Sequence, residues 1–373
     1  MRIMHVFRAP VGGLFRHVRE LAAQQAALGH DVGLICDSTH GGKSAEAALN
    51  ALRDNMRLGI HRIALPRLPH PGDVSAYRAI RRILEETRPQ IVHGHGAKGG
   101  LHGRLAARHD AGMRTIYTPH GGSLHFSRHS AKGALYLTTE RLLLHRTDGL
   151  IFVCNFERRA FIEKVGAFSC PSAIVHNGLP AEEFSYVPVL PDAADVVFVG
   201  ELRMLKGVDV LLSALARLKE KGRAISALIV GDGPDAETFR TLAQSLNLSK
   251  NVRFPGPMPA RKAFAQGRVV VVPSRAESFP YVVLEAQAAG RPVIAAHVGG
   301  IPEMLPEESL VPAEDPAALA ERIASVLDDP DSERKAKARI EEIRQRFSIE
   351  TMTHGVLDFY DRVLLDTVGR QAA

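Results

Sequence analysis

Two short apolar runs separated by one helix-length segment constrain this chain more than any other feature. Residues 269–272 (VVVV) and 292–296 (PVIAA) are too short for buried helices and too uniformly apolar for strands with one face in water. Such runs suit strands covered on both faces, and that means a parallel sheet flanked by helices. Parallel neighbours need a crossover, which residues 284–289 supply as a helix ended by Gly290. Pro273 and Ser274 end the first strand, and Pro280 sits where a first helical turn tolerates proline. Two carboxylates flank that helix start. Glu277 falls in the loop at the carboxyl end of its strand, where open α/β sheets bind ligands. Glu285 falls inside a helix made mostly of Val282, Val283, Leu284, Ala286 and Ala288, a setting in which a carboxylate needs partners.

The same alternation recurs along the chain. Strands are expected at 3–7, 31–36, 61–65, 91–94, 114–118, 149–153 and 172–176, and again at 196–199, 227–230 and 252–254, with helical stretches between them. At 373 residues the chain exceeds what one core usually serves, so two doubly wound domains are expected. Residues 1–180 form the first, a proline-bearing segment 181–194 the linker, and 195–346 the second. Residues 347–373 carry Phe347, Ile349, Met352, Val356, Phe359 and Val363 at helical spacing, which gives a structural terminal helix.

Three turns in this frame have ligand-binding character. After the strand ending at Gly200 comes a cationic loop, with Arg203, Lys206 and Gly207 ahead of a helix starting near Val208, and a helix start favours anions. Gly231 and Gly233 close another strand and permit close backbone approach. Gly12 and Gly13 stand between the first strand and its helix, with His17 one turn on.

Glu277 and Glu285 at this spacing, with the Arg203–Lys206–Gly207 loop, resemble the E-x7-E and G-x-x-x-x-x-K-G motifs of retaining glycosyltransferases of the family 4 type. The resemblance implies a GT-B fold: two Rossmann-like α/β domains facing across a cleft, with the C-terminal helix crossing back to the first. It implies that Glu277 lies by the donor sugar hydroxyls, Glu285 binds the donor ribose, and Arg203 and Lys206 bind the pyrophosphate. Gly12, Gly13, Gly200 and Gly231 join the donor site on the same ground, and His120, in TPHGG after a strand, is the histidine near the donor sugar. The loop Ser278, Phe279, Pro280, Tyr281 departs from the family's Gly-Phe-Gly-like form, and Pro280 withholds one backbone N–H from the ligand. Asn177–Gly178 and the VGGIPE turn at 298–303 also match family turns, as hinge and pocket-closing elements.

The activity so implied is metal-independent, retaining transfer of a sugar from a UDP- or GDP-linked donor to a glycan or lipid-linked acceptor, in cell-envelope polysaccharide synthesis and with no cofactor. No feature identifies a covalent nucleophile, so same-face attack and double displacement both stay open. The alternatives are a nucleotide-sugar epimerase of the same fold, which would need no acceptor, and a noncatalytic nucleotide-sugar-binding protein.

Composition narrows the partners. Residues 1–180 hold 24 Lys/Arg against 13 Asp/Glu, a charge of +11, and the remainder carries −5. A basic first half suits an anionic partner, an anionic membrane face included, with Arg78, Arg81, Arg82 and Arg88 grouped in one helical region. With no Trp and no nucleic-acid-binding motif, nucleic acid is not expected. His93 and His95 alternate at a strand end without an adjacent carboxylate or Cys, so no metal site is assigned there. Asp329 and Asp331 form a DxD, but they stand in a loop opening a charged helix, where Asp331 or Ser332 is read as the cap rather than as a metal ligand. Cys36, Cys154 and Cys170 lack CxxC spacing and suit a reducing cytoplasm. With no long apolar run or signal-like start, the expected location is cytoplasmic or peripheral on the inner face of the cytoplasmic membrane.

Overall fold

The computed structural model describes residues 1–371, with side chains described through Leu365. The chain divides into two units: Met1–Gly178 together with the C-terminal helix from Ile349, and Leu179–Ser348. Each is built on one fully parallel sheet.

In the first unit, strands β1 (Arg2–Phe7), β2 (Asp31–Asp37), β3 (Ile60–Ile63), β4 (Ile91–His95), β5 (Arg114–Thr118), β6 (Gly149–Phe152) and β7 (Ser172–Ile174) lie in the order 3-2-1-4-5-6-7. The chain reverses its winding between β1 and β4, so the loops after these strands diverge and leave a crevice for ligands. Register places His5 beside His93 and Phe7 beside His95, with His95 in turn beside Thr118. Because side chains alternate along a strand, His5, His93 and His95 share one face with Ile3 and Ile91. The C-terminal helix Ile349–Gln371 covers that face through Ile349, Met352, Val356, Phe359 and Val363. The opposite face is covered by the helix Gly72–Thr87, whose Ala76, Ile80 and Leu84 meet Met4, Val6 and Val92.

The second unit repeats the plan. Strands β8 (Ala194–Val199), β9 (Ala227–Val230), β10 (Val252–Gly256), β11 (Gly267–Val272), β12 (Val293–Ala296) and β13 (Leu310–Val311) take the order 10-9-8-11-12-13. Val196, Phe198, Val269, Val271 and Ile294 pack under the helices Val208–Glu220 and Pro316–Asp328. The reversal here falls between β8 and β11.

Several expectations require correction. Residues 181–194, expected as the linker, are hydrogen-bonded along the second unit. Arg261 donates to the carbonyls of Glu183 and Ser185, Val187 N–H to Ala289 and Leu190 N–H to Ala265, so the proline-rich segment is strapped to the second unit. Phe347 does not belong to the terminal helix; it ends the preceding helix Ile340–Phe347 and its ring lies 5.7 Å from that of Phe279. The two-residue β13 was not expected, being too short to show a period. Pro280 occupies the cap position rather than the first turn, because the helix starts at Tyr281. Asp331 also stands at a cap position, but its carboxylate pairs with Arg334, while Asp329 accepts the Asp331 N–H.

Candidate functional site

In the second unit, the loops after β8 and β11 meet at the winding reversal. Lys206 Nζ donates to Glu277 Oε1 over 2.6 Å, and Ser274 Oγ donates to the same oxygen over 2.8 Å. Both loops are held by the backbone. Gly207, in left-handed conformation at φ +71°, lies so close to Pro273 that a Cβ there would stand 1.9 Å from the Pro273 carbonyl oxygen. Gly299, at φ +60°, presses harder still: its Cβ would stand 1.6 Å from the Glu277 carbonyl oxygen, and Gly300 N–H donates to Ser278. The VGGIPE turn thus braces the Glu277 loop from behind.

Sequence reasoning missed the residue that ties these loops together. Arg275 forks onto Asp209 at 2.8 and 2.6 Å, reaches Glu314 at 2.8 Å, and donates to the Met204 carbonyl. Its backbone N–H donates to Leu205. A charged residue two positions before Glu277 was the available signal. The glycine turn after β9 joins the assembly, since Leu202 N–H donates to the Asp232 carbonyl and Asp235 accepts from Met204 N–H. Gly200 and Gly231 touch there; a Cβ on Gly231 would stand 1.9 Å from the Gly200 oxygen.

The other expected residues sit differently. Arg203 is exposed and pairs loosely with Glu201 at 3.6 Å. Ser278 is half-buried, whereas Phe279 and Tyr281 are buried and Phe279 packs on Phe347. Any ligand contact by Phe279 is therefore left to its backbone. Glu285 is half-buried in the helix Tyr281–Ala288.

In the first unit, Gly12 opens the helix Gly12–Ala27 at φ +70°, and both Gly12 and Gly13 are exposed. Behind them lies a group of histidines from four elements. His5 Nδ1 lies 2.9 Å from His95 Nε2, and His95 Nδ1 lies 3.1 Å from His120 Nε2. His5 Nε2 faces Gln25 Oε1 at 2.8 Å and His17 Nδ1 faces Asn177 Oδ1 at 3.0 Å. His93 bridges Tyr360 Oη at 2.6 Å and Thr118 Oγ1 at 2.8 Å. Burial without a counter-charge disfavours the imidazolium form and pushes His5 and His17 down to about 4; His93, His95 and His120 are lowered too. The sequence signal was His93 and His95 at spacing two, but the three partners from other elements become neighbours only through register and crossover.

His5, His93 and His95, and likewise His17, His95 and His120, bring ring nitrogens within 4.8 Å of one another, a separation open to a metal ion. The imidazoles face one another and neutral amide or hydroxyl groups at hydrogen-bond distance.

His120 has a left-handed backbone at φ +51°, a conformation that residues with a side chain seldom adopt. Its turn is held by Glu157, another residue the sequence reading passed over. The Glu157 carboxylate accepts from Gly121 N–H on one oxygen and from Val153 N–H, at 2.9 Å, on the other. Burial raises it to about 7 despite those two donors.

Residues 11–183 match the family described as Glycosyltransferase Family 4, and residues 182–346 match Glycosyl transferases group 1. The chain belongs to the family 4 glycosyltransferases. Among relatives of this glycosyltransferase, the glycogen synthase of Mycobacterium tuberculosis is 28% identical over 94% of this chain and 91% of its own. The gpi3 subunit of the Schizosaccharomyces pombe phosphatidylinositol N-acetylglucosaminyltransferase is 26% identical over 94% of this chain and 78% of its own. The fold of the glycosyltransferase is GT-B. HepE of Anabaena, solved in complex with UDP, superposes with a TM-score of 0.80 at 18% identity, over 97% of this chain and 100% of that one. Sucrose-phosphate synthase of Thermosynechococcus elongatus gives 0.79 at 22% identity, over 98% and 100%.

Proposed function

We propose that this glycosyltransferase is a retaining, metal-independent enzyme that moves a sugar from a UDP- or GDP-sugar to a glycan or lipid-linked acceptor in cell-envelope polysaccharide synthesis. The observation that carries the reading is the Lys206–Glu277 pair, at the winding reversal where a parallel sheet receives ligands. In this reading Lys206 and Arg203 meet the donor diphosphate and stabilise the charge that builds on it as it leaves, a task a divalent ion would otherwise serve. Glu277 orients the sugar, Glu285 takes the ribose, and Gly12, Gly13, Gly200, Gly231 and the loop Ser278, Phe279, Pro280, Tyr281 approach the donor through their backbone. In the first unit His120 faces the sugar. The UDP and UDP-glucose complexes of HepE support a nucleotide-sugar donor, and the name of the gpi3 relative supports a lipid-linked acceptor class.

Calorimetry and slow donor hydrolysis with a panel of UDP- and GDP-sugars test the reading. Saturable binding of one donor and its acceptor-dependent turnover are expected, with full activity in EDTA. Binding of none, acceptor-free interconversion, or an EDTA loss that Mg²⁺ restores would each overturn part of it.

Docking of the basic half on an anionic membrane belongs to the same proposal. No helix among the described residues is long and apolar enough to cross a membrane. Arg81 and Arg82 are paired with Glu85 and Glu86, so the docking rests on the distributed +11 rather than on that helix. Salt-sensitive co-sedimentation with anionic but not neutral liposomes is the expected result.

A further inference from the structure

We propose that Gln25, His5 and His95 form a hydrogen-bond chain that fixes the tautomer of His120, leaving its Nδ1 as an unprotonated acceptor. The chain runs from Gln25 Oε1 to His5 Nε2 at 2.8 Å, from His5 Nδ1 to His95 Nε2 at 2.9 Å, and from His95 Nδ1 to His120 Nε2 at 3.1 Å. Gln25, His5 and His95 are fully buried, so water does not interrupt it. Burial also keeps the rings neutral. A neutral imidazole has one N–H and one lone pair, so each ring that donates at one end accepts at the other.

The direction of the chain is therefore set at its closed end. Gln25 Oε1 can only accept, which places the His5 proton on Nε2 and leaves Nδ1 to accept from His95 Nε2–H. His95 Nδ1 then accepts from His120 Nε2–H, and His120 is left with a bare Nδ1. Among the described residues His120 makes no hydrogen bond besides the one to His95. Its backbone is meanwhile held in the left-handed region beside the turn that Glu157 pins. Main chain and ring are thus both held, by different partners. Reversing the chain would need the Gln25 amide rotated end for end, which would aim its N–H at His5 and its oxygen at the Tyr360 hydroxyl, the group its N–H now faces.

A bare nitrogen takes a hydrogen bond from a hydroxyl or N–H and repels a phosphate or carboxylate oxygen. His120 thereby selects a hydrogen-bond donor on its ligand, and Gln25, His5 and His95 act on that choice as positioning residues. The ligand's identity as a sugar rests on the transferase reading; the tautomer does not.

Long-range ¹H–¹⁵N correlation on the full chain labelled with [¹⁵N]histidine, with His120 assigned by its absence in His120→Gln, tests the proposal without any ligand. The expected spectrum shows His120 as the Nε2–H tautomer, with Nδ1 at the far-shifted position of an unprotonated nitrogen. Gln25→Met, which keeps the volume and removes the acceptor, is expected to mix the two tautomers at His120. Gln25→Glu, which keeps an acceptor, is expected to restore the single one. An Nδ1–H tautomer in the unmodified protein, or a His120 spectrum unmoved by Gln25→Met, would overturn the proposal. Should Gln25→Met fail to fold, the unmodified spectrum alone decides. Failed donor binding with the expected tautomer would defeat the transferase reading and leave the chain standing.

Discussion

The two units carry the same strand–helix plan and candidate sites of opposite character. Residues 1–180 have a charge of +11, yet their site is a set of buried, uncharged imidazoles. The remainder has −5, yet its site presents Arg203, Lys206 and Arg275 among carboxylates near water. Net charge describes the solvated surface, whereas site chemistry follows local burial: desolvation disfavours the charged form of the buried histidines.

The largest expected effect separates the units by pH. His5 and His17 have native values of about 4 against 6.5. Between those values the unfolded chain binds more protons, so stability falls as pH drops from 6.5 to 4, by roughly 3 kcal/mol for each. Glu157, raised from 4.5 to about 7, works in the opposite sense: its contribution is present below 4.5 and lost as pH rises through 7. One carboxyl does not offset five imidazoles. Hydrogen exchange on acidification should open β1, β4 and the C-terminal helix before β8 and β11, and simultaneous opening would break the contrast.

Gly299→Ala should come next, because its Cβ displaces the Glu277 backbone. A loss of about 100-fold in kcat/KM is expected, as for a misplacement near 1 Å, with the histidine resonances of the first unit unchanged. Native kinetics in this variant would show that the turn does not brace the site.

Glu277→Gln should cost about 10- to 150-fold in rate, corresponding to a charge-assisted hydrogen bond of roughly 1.5 to 3 kcal/mol. A folded variant with unchanged turnover would remove Glu277 from the chemistry. The smallest effect is expected at Arg203→Ala, where an exposed contact contributes about 1 kcal/mol, or roughly 5-fold in nucleoside diphosphate affinity. Lys206→Ala should weaken the same binding more, since Lys206 is the less exposed of the two. Equal affinities by calorimetry would erase the ranking.

Legibility in the sequence differed between the two sites for a physical reason. Lys206, Gly207 and Glu277 lie in loops whose strands show as apolar runs, and a parallel sheet gathers such loops on one edge. Arg275 was visible, but its partners Asp209, Glu314 and the Met204 carbonyl come from other turns. The histidine group was harder to see: of its members, only His93 and His95 are neighbours in sequence, while Gln25 and Tyr360 arrive from helices at either end of the chain.

By itself the sequence determined the alternation of strands and helices, the two parallel sheets and the loops at their carboxyl edges, because burial on both faces writes itself locally as short apolar runs. Only the tertiary structure decided which buried polar groups meet, that the proline-rich segment is strapped down, and that Glu157 holds the turn of His120. Hydrogen bonds between residues far apart in the chain leave no local period; they exist only once register and crossover have brought the partners within about 3 Å.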